Sequence, residues 1–532
     1  MLTSFLFAAC LTLFGCDPVE SEPRGLFPFS PDTLDFDQIQ LIDYSDYVQP
    51  LLAHRNVFAP VVGTGPGLLG DYEWADIFDS TWGETIVPFD ADGSLFIRFI
   101  EDLPGDAEIP YPNLRNLEED EIRYLKRWIE AGAVNDDGEI PFADSEHLLY
   151  AAVQGANYVA IIDASRRQII RNIYFADHGF ECAPNGPHYM VFEPDRSAVY
   201  VSLVNCNTVA KISGSLTMDP SDEAYFLGAT RSFTTPGMMA LDTNTNRLYV
   251  GRSTASLPST TPTIGVFDSE NLDGEPIEYP IPEAGTSFPH ALGLSPDGRF
   301  LLTAPLTGQD AYSFDAMTGD IISRVSLGGV SELVHFSILP GGTSATLTAN
   351  PADGSADKVL FFSIDEEGTL ELTGSIATDG ERAWHAHLDS DGETVLVPNR
   401  ASNSVSLINV PTETIRLVVE NPSDNGPIVL PHSPGPTHAG AFFVSNSNLN
   451  GMWTPPYPFL DGSGNPLPND AFGNVAALDP ETGELLKVLT LGHYPSGLEH
   501  WHQGGHHHGM QQVDPEHNDH QHEEHQHDEH DH

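Results

Sequence analysis

The sequence predicts a mainly β protein, a seven-bladed β-propeller formed by residues 145–502 and preceded by a small α-helical domain. A short motif returns along the chain, with a histidine about seven residues before a turn that contains Asp or Gly. Helical periodicity is nearly absent after residue 140. Strands with alternating apolar residues recur at a spacing of about 44 to 53 residues, which is typical of propeller blades. These strands begin near positions 149, 198, 248, 301, 345, 395 and 442.

The two ends of this region are expected to share one blade. The unit near His147 has no inner strand before it, and residues 495–499 have no outer strands after them. Pairing them removes the open sheet edge. Residues 289–298 read Pro-His-Ala-Leu-Gly-Leu-Ser-Pro-Asp-Gly, which resembles the YVTN repeat family of propellers. The resemblance implies the fold but no particular activity, because propellers host many unrelated functions.

The N-terminus predicts export. Residues 2–14 form an apolar run that is too short to span a bilayer, so residues 1–16 are interpreted as a signal peptide. The run ends in Leu-Phe-Gly-Cys, which resembles a bacterial lipobox and implies lipidation of Cys16. An ordinary export signal with an incidental cysteine is the alternative. Residues 17–39 are interpreted as a linker, and the expected location is the bacterial cell envelope, periplasmic or outer-surface, with the lipid as the only membrane contact.

Residues 40–140 are predicted to form the helical domain. Helices are expected near residues 46–52 and after Asn116, which is a candidate N-cap because acidic residues follow it. The order of segments resembles the small cytochrome c domains of the planctomycete type. Residues 54–60, which match the haem-attachment stretch, contain no cysteine, and Ile109 replaces the distal methionine. Haem c is therefore not expected, and we interpret the domain as a docking or packing module, with another envelope protein as its partner.

The recurring histidines are the candidate site. The first strand of each blade lines the central channel, so equivalent residues should converge on one axis. Imidazoles suit copper and zinc, and a thioether would favour copper. The pattern is similar to the histidine-ligated copper cluster in the propeller of nitrous oxide reductases. Two alternatives stay open: histidines that only hydrogen-bond to the backbone, and a different ligand, as in a lactonase-type propeller. The candidate ligands are His188, His290, His335, His385, His387, His432 and Met238.

Two cysteines lie within the predicted propeller. Cys182 and Cys206 flank the hairpin that contains His188. In an exported protein they are expected to form a disulfide. The alternative is a pair of thiolate ligands close to His188.

The C-terminal residues 503–532 mix histidine with Asp and Glu and are expected to be a disordered tail. Imidazoles and carboxylates at short spacing bind divalent metals weakly at many points. A solvated acidic tail without metal is the alternative. The candidate tail ligands are His506, His507, His508, His520, His522, His525 and His527.

The charge balance narrows the function classes. The net charge is -55, with 77 acidic residues and 22 Lys and Arg, so nucleic acid is not expected as a partner. The leading hypothesis is an exported lipoprotein that binds or handles copper or zinc without catalysis. A metal-dependent oxidoreductase and a non-catalytic interaction scaffold are the alternatives, and the sequence leaves open whether the protein is an enzyme.

Overall fold

The computed structural model describes residues 30–57, 68–70, 73–78, 82–101, 112–184, 186–253, 262–282, 287–457, 459–461 and 463–502. The described chain is mainly β and contains three short α-helices. Seven four-stranded antiparallel sheets follow one another along the sequence. The predicted fold class is therefore confirmed. No helix among the described residues is long and apolar enough to cross a membrane.

Each sheet is one blade, and its strands run from the channel outward. The first three blades are β28 (Pro495–His502), β1 (His147–Val153), β2 (Tyr158–Asp163) and β3 (Gln168–Tyr174); β4 (Pro187–Phe192), β5 (Ala198–Leu203), β6 (Thr208–Ser213) and β7 (Phe226–Ala229); and β8 (Pro236–Asp242), β9 (Arg247–Arg252), β10 (Thr263–Asp268) and β11 (Ile277–Pro280).

The remaining four blades repeat this order. They are β12 (Pro289–Leu294), β13 (Phe300–Pro305), β14 (Asp310–Asp315) and β15 (Ile321–Ser326); β16 (Val330–Ile338), β17 (Ser344–Pro351), β18 (Lys358–Ile364) and β19 (Leu370–Ala377); β20 (His387–Leu388), β21 (Thr394–Asn399), β22 (Ser404–Asn409) and β23 (Thr414–Glu420); and β24 (Pro431–His438), β25 (Ala441–Asn446), β26 (Gly473–Leu478) and β27 (Leu485–Leu491).

Closure of the ring uses both ends of the propeller region. Strand β28 pairs with β1 in antiparallel register, so that Leu149 lies opposite His500 and Tyr150 opposite Glu499. Inner strands of neighbouring blades also contact each other, including β4 with β8 and β24 with β28. The second and third strands of most blades are almost wholly buried, whereas outer strands such as β15 and β19 alternate towards solvent. The outer strands face solvent, whereas the inner strands face the channel and carry its residues.

The N-terminal unit contains three short α-helices, each in contact with a different 3-10 or π turn. The helices are α1 (Gln49–His54), α2 (Leu95–Glu101) and α3 (Glu119–Glu130). Helix α3 buries Tyr124, Leu125 and Trp128. Phe36, in the stretch interpreted as a linker, is also buried, and its backbone N–H donates to Asp120 at 2.9 Å.

The N-cap prediction for α3 was wrong by two residues. The cap residue is Glu118, and its backbone N–H donates to the Glu121 carboxylate at 2.8 Å. Asn116 instead ends the 3-10 turn Pro112–Asn116. The Glu121 carboxylate also accepts two bonds from Arg55, which fixes α1 against the start of α3. The helix therefore begins at a capping box, in which the Glu121 carboxylate accepts the Glu118 N–H and also pairs with Arg55.

The N-terminal unit joins the first and last blades through hydrogen bonds and aromatic contacts. The Gln168 amide donates to the Phe78 carbonyl, and the Ile169 N–H donates to the Gly83 carbonyl, both at 2.6 Å. Phe99 meets Tyr457 with ring centroids 4.5 Å apart. The histidines of the channel lie on the inner strands, whereas these contacts lie on outer strands and loops.

Candidate metal centre

The candidate histidines stand where the inner strands begin. Pro187, Pro289 and Pro431 are each the first residue of an inner strand, a position that tolerates the missing backbone donor. The pairing register shifts immediately afterwards, between Pro187 and Met190 for example. Such bulges turn a side chain away from its ordinary direction on the sheet. His188, His290 and His432 each follow one of these prolines. In the blade of β20, Ala383 pairs with Asn399 and His387 with Leu396, so Trp384 takes this place and His385 is the next residue.

Three of these histidines form a compact group, which we call the axial triad: His188, His290 and His385. One ring nitrogen from each lies within 4.8 Å of those of the other two. Their ring centroids are separated by 5.2 to 6.1 Å. All three side chains are buried, with 4%, 3% and 0% of their surface exposed. A metal bonded at about 2.0 to 2.1 Å in tetrahedral geometry needs nitrogens about 3.3 Å apart, so the most widely separated nitrogens must approach by up to about 1.5 Å.

Hydrogen bonds fix the tautomers of two triad members. The Nδ1 atom of His188 lies 3.2 Å from the Gln154 amide oxygen, and the Nδ1 atom of His290 lies 2.9 Å from the Val334 carbonyl. A carbonyl oxygen can only accept, so each Nδ1 carries the proton and each Nε2 keeps a lone pair. Metal-binding histidines are oriented in this way in known sites.

Three other triad nitrogens are unsatisfied. His188 Nε2 and both ring nitrogens of His385 are buried and have no hydrogen-bond partner. Buried polar atoms without a partner are rare, and each one needs an explanation such as an ion or a ligand. The donor set therefore fits a bound cation better than a purely structural role.

Burial keeps these imidazoles neutral. Burial, with smaller contributions from the nearby His290 and Arg400, lowers the pKa of His188 to about 3. Burial also lowers the pKa of His290, and it holds the pKa values of His385 and His432 well below the ordinary value for histidine. Neutral imidazole is the form that binds metals.

His432 is a close neighbour of the triad but is arranged differently. Its ring centroid lies 4.7 Å from that of His385. Its Nε2 atom accepts a hydrogen bond from the Trp384 indole at 3.1 Å, so the lone pair is already used and Nδ1 carries the proton. His432 therefore packs beside the triad as it stands and would have to turn to become a ligand.

Two further histidines, the inner pair His335 and His387, lie next to the triad. Their ring centroids are 4.7 Å apart, and His335 lies 5.7 Å from His385. The Nε2 atom of His387 lies 3.2 Å from the Ser433 hydroxyl and 3.7 Å from the Glu499 carboxyl. The six candidate histidines thus form one continuous buried cluster.

Glu499 was missed by sequence reasoning. Its side chain is buried at 3% exposure, and burial raises its carboxyl pKa well above the ordinary value. The available signal was a single carboxylate in the short run Pro-Ser-Gly-Leu-Glu at the closing inner strand. Such a residue in an inward-facing strand is a candidate for the channel lining.

Strand register places Met238 one residue further along its strand than His188. Pro187 and Pro236 pair with Leu203 and Arg252, and Met190 and Met239 pair with Val201 and Val250. Gly237 therefore occupies the place of His188, and Met238 corresponds to Tyr189 in the sequence of the strand. The Met238 side chain is fully buried in an apolar cluster that includes Tyr189 and Met239.

Like Met238, His335 lies one residue further along its strand than His188. Its backbone N–H donates to the Thr348 hydroxyl, as the Tyr189 N–H donates to the Ser202 hydroxyl. Val334 therefore takes the place of His188 in this blade, and its carbonyl holds His290. His385 has the same shift and yet belongs to the triad, so the position in the strand does not by itself decide which histidines converge.

Three side chains lie beside the cluster at the end of the channel where the inner strands begin. The Trp384 ring is parallel to that of His385, with an interplanar angle of 4° and centroids 5.9 Å apart. The Tyr494 ring lies 6.0 Å from that of His432. The Arg400 guanidinium lies over both rings, 5.4 Å from Trp384 and 5.8 Å from Tyr494.

The two propeller cysteines are joined. Cys182 and Cys206 form a disulfide with Cα atoms 5.1 Å apart, and it links residues 24 positions apart on either side of the β4–β5 hairpin. The sulfurs are therefore not thiolate ligands beside His188 here. In the helical unit, His54 ends α1 and lies 3.3 Å from the Asp32 carboxylate, away from the channel.

Several predictions concern residues outside the described part of the chain. These are the signal peptide with Cys16, the distal position Ile109, and the tail ligands His506, His507, His508, His520, His522, His525 and His527.

Comparisons with known proteins speak to the fold alone. No family model matches the chain, and no curated protein does. Among solved structures, the periplasmic gluconolactonase PpgL of Pseudomonas aeruginosa is 17% identical over 67% of this chain and 99% of its own, with a TM-score of 0.47. Kuenenia stuttgartiensis hydrazine synthase is 13% identical over 56% of this chain and 89% of its own, with a TM-score of 0.45. The dihydro-heme d1 dehydrogenase NirN is 13% identical over 79% of this chain and 93% of its own, with a TM-score of 0.42.

Proposed function

We propose that this protein binds a transition metal, copper or zinc, on the propeller axis through His188, His290 and His385. The observation that carries the proposal is the convergence of buried lone pairs without partners, namely Nε2 of His188 and the two ring nitrogens of His385. Imidazole is a good ligand for both metals. Met238 no longer favours copper over zinc, because its thioether packs in the apolar core.

The surrounding residues support the same proposal in different ways. Gln154 and the Val334 carbonyl orient two ligands through Nδ1. The outer shell of a metal site typically contributes 10- to 100-fold to its affinity, about what these two bonds are expected to supply. His335, His387 and His432 surround the triad as buried neighbours or as additional ligands after a ring rotation.

The setting of the metal is part of the proposal. The apolar N-terminal run and the Leu-Phe-Gly-Cys sequence support export and a lipid anchor on Cys16. The Cys182–Cys206 disulfide is consistent with an oxidising compartment such as the cell envelope. The histidine-rich residues 503–532 would capture metal near the propeller. Their many weak sites would pass the metal to the single strong site at the axial triad.

The experiment separates the triad from the tail. The full chain and a chain that ends at His502, the last residue of β28, are incubated with Zn²⁺ or Cu²⁺, dialysed, and analysed for bound metal by mass spectrometry. The shortened chain should retain one tightly bound equivalent. The double variant His188→Ala plus His290→Ala should lose that equivalent, because a single imidazole cannot hold it.

A control variant uses a histidine far from the axis. His178 lies on a 3-10 turn after β3, where its Nε2 atom meets the Pro220 carbonyl. His178→Ala should keep the tight equivalent. Equal metal content in the triad double variant and in His178→Ala, with both proteins folded, would reject the proposal.

A further inference from the structure

Arg400 lies beside the axial triad. It follows the last residue of β21, and its backbone N–H donates to the Arg382 carbonyl at 2.9 Å. Strand β21 runs antiparallel to the inner strand of its blade, so its end lies where the inner strands begin. The guanidinium is held between Trp384, which stacks on His385, and Tyr494, which contacts His432.

The charge on Arg400 has no counterpart within the described residues. Its Nη1 atom is buried and makes no hydrogen bond, and in the described ranges no carboxylate lies within 4.0 Å of the guanidinium. This is informative in a chain with 77 acidic residues against 22 Lys and Arg. Arg382, which lies over the same Trp384 ring at 5.2 Å, has an acidic partner, Glu332, at 3.3 Å.

An unpaired, partly desolvated guanidinium needs an anion. A buried donor without a partner costs about 1 to 3 kcal/mol, and more when it is charged. A guanidinium binds carboxylates and other planar oxyanions through two parallel hydrogen bonds. Its two flanking rings also fix its plane, since cation–π contacts hold a guanidinium over an aromatic face.

A metal held by the axial triad would also attract an anion. Three protein ligands leave one position of a tetrahedral metal open, as in catalytic zinc sites. The fourth ligand must then come from solution. A cationic metal and a guanidinium on the same side of the channel both favour a negatively charged ligand.

We infer that Arg400 forms an anion-binding position at the mouth of the axial triad, so that the ligand completing the metal site is a small anion such as a carboxylate or an inorganic anion. This inference rests on the proposed function, because the anion is shared between Arg400 and the triad-bound metal. It names the class of ligand or substrate that the site accepts. Trp384 and Tyr494 are the positioning residues of the guanidinium.

The test is a titration of the copper-loaded full chain with azide, followed by visible absorption. Copper content is measured in every protein. The His188→Ala plus His290→Ala variant gives the absorption change of copper bound outside the triad, and this change is subtracted. Arg400→Gln should weaken azide binding to the remaining site about tenfold or more, since a charge-assisted hydrogen bond contributes about 1.5 to 3 kcal/mol. Arg382→Gln is the matched control and should change it less than about threefold, because that charge is already paired.

The outcomes are distinct from those of the metal proposal. If the His188→Ala plus His290→Ala variant keeps all of the copper, the metal proposal fails. If copper is lost in that variant but azide binds Arg400→Gln and the wild type equally, the anion position is wrong. If Arg400→Gln does not fold, Arg400→Lys is tested instead. The measurement is then how well acetate competes with azide for the copper-loaded protein. An ammonium lacks the planar fork, so acetate should compete about fivefold less well or worse, and unchanged competition overturns the inference.

Discussion

Two groups of histidine rings lie at opposite ends of the same inner strand. His432 is the second residue of β24 and lies beside the axial triad, whereas His438 ends the strand, about 20 Å away at the rise expected for a strand. At that second end His438 stacks on His147 with ring centroids 3.5 Å apart, and His147 lies 6.5 Å from His500. We call His147, His438 and His500 the stacked trio. Both groups are dense in imidazole, but they are built differently.

The difference lies in where the nitrogens point. In the stacked trio the rings are nearly parallel, at 21° and 11°, and the side chains are half-buried. In the axial triad the planes are inclined by 58° to 75°, and the side chains are buried. Within the ranges that the structure describes, only the triad brings three potential ligand atoms within 4.8 Å of one another. Close rings alone therefore do not make a metal site; converging lone pairs do.

The strongest test of this comparison is the stabilisation that zinc produces. With free zinc at 1,000 times the dissociation constant, the free energy of unfolding should rise by about 4 kcal/mol in the wild type. His385→Ala should abolish most of that increment, because it removes the ligand whose two nitrogens both lack partners. The measurement is denaturant unfolding of each protein with zinc and with a chelator.

The matched variant is His438→Ala in the stacked trio. It should keep the full zinc increment, although it loses a ring contact and a hydrogen bond to Ser165. Because each protein is compared with itself, any intrinsic loss of stability cancels. A similar loss of the increment in both variants would show that the two clusters are not distinguished by geometry.

The two clusters also differ in burial, so the cost of burying an ionisable group in this protein has to be known. Glu84 offers a way to measure that cost. Glu84 belongs to the N-terminal unit and is only 8% exposed, with its Oε2 atom unpartnered. Burial raises its pKa from 4.5 to about 7, although hydrogen bonds from Thr490 oppose the shift. Glu84→Gln should therefore stabilise the protein at pH 8 by about 3 kcal/mol. Denaturant unfolding at several pH values checks this.

The sign follows from proton binding. Below about pH 4.5 both states of the wild type hold the proton, and Glu84→Gln should be close to neutral. Between pH 4.5 and about 7 only the folded state keeps it, so wild-type stability falls as the pH rises. Glu130→Gln, an exposed change at the end of α3, serves as the control and should show no such divergence. A pH-independent difference for Glu84→Gln would contradict this account.

Much of the fold could be predicted from the sequence because each blade repeats a local pattern. The second strands begin at residues 147, 198, 247, 300, 344, 394 and 441, within two residues of the predicted positions. The closing blade was also predictable, since β1 lacked an inner partner and β28 lacked outer ones. Repetition makes the alignment of blades a strong constraint.

The site was predictable only to the level of residue type and strand. A bulge shifts the register by one residue, so His335 and Met238 could not be placed by counting from a motif. Tautomers depend on Gln154 and on the Val334 carbonyl, which are remote in sequence from the rings they hold. The contacts of Arg400 depend in the same way on residues from other loops.

The smallest expected effect concerns Glu499, which adjoins the inner pair. Burial raises the pKa of its carboxyl well above the ordinary value, which favours the neutral form of the side chain. Glutamine has the same shape and is also neutral. Glu499→Gln should therefore leave the zinc increment within about 0.5 kcal/mol of the wild type, as ordinary substitutions away from a functional group do.

The zinc increment is the right measure for Glu499→Gln because the substitution also changes stability in the absence of zinc. Burial raises the pKa of the carboxyl only in the folded state, so Glu499→Gln should raise the free energy of unfolding with or without zinc. If Glu499 instead served the metal as an ionised ligand, its replacement would remove much of the increment, as loss of a triad histidine does. An increment reduced by more than about 2 kcal/mol would place the metal between the triad and the inner pair, with Glu499 among its ligands.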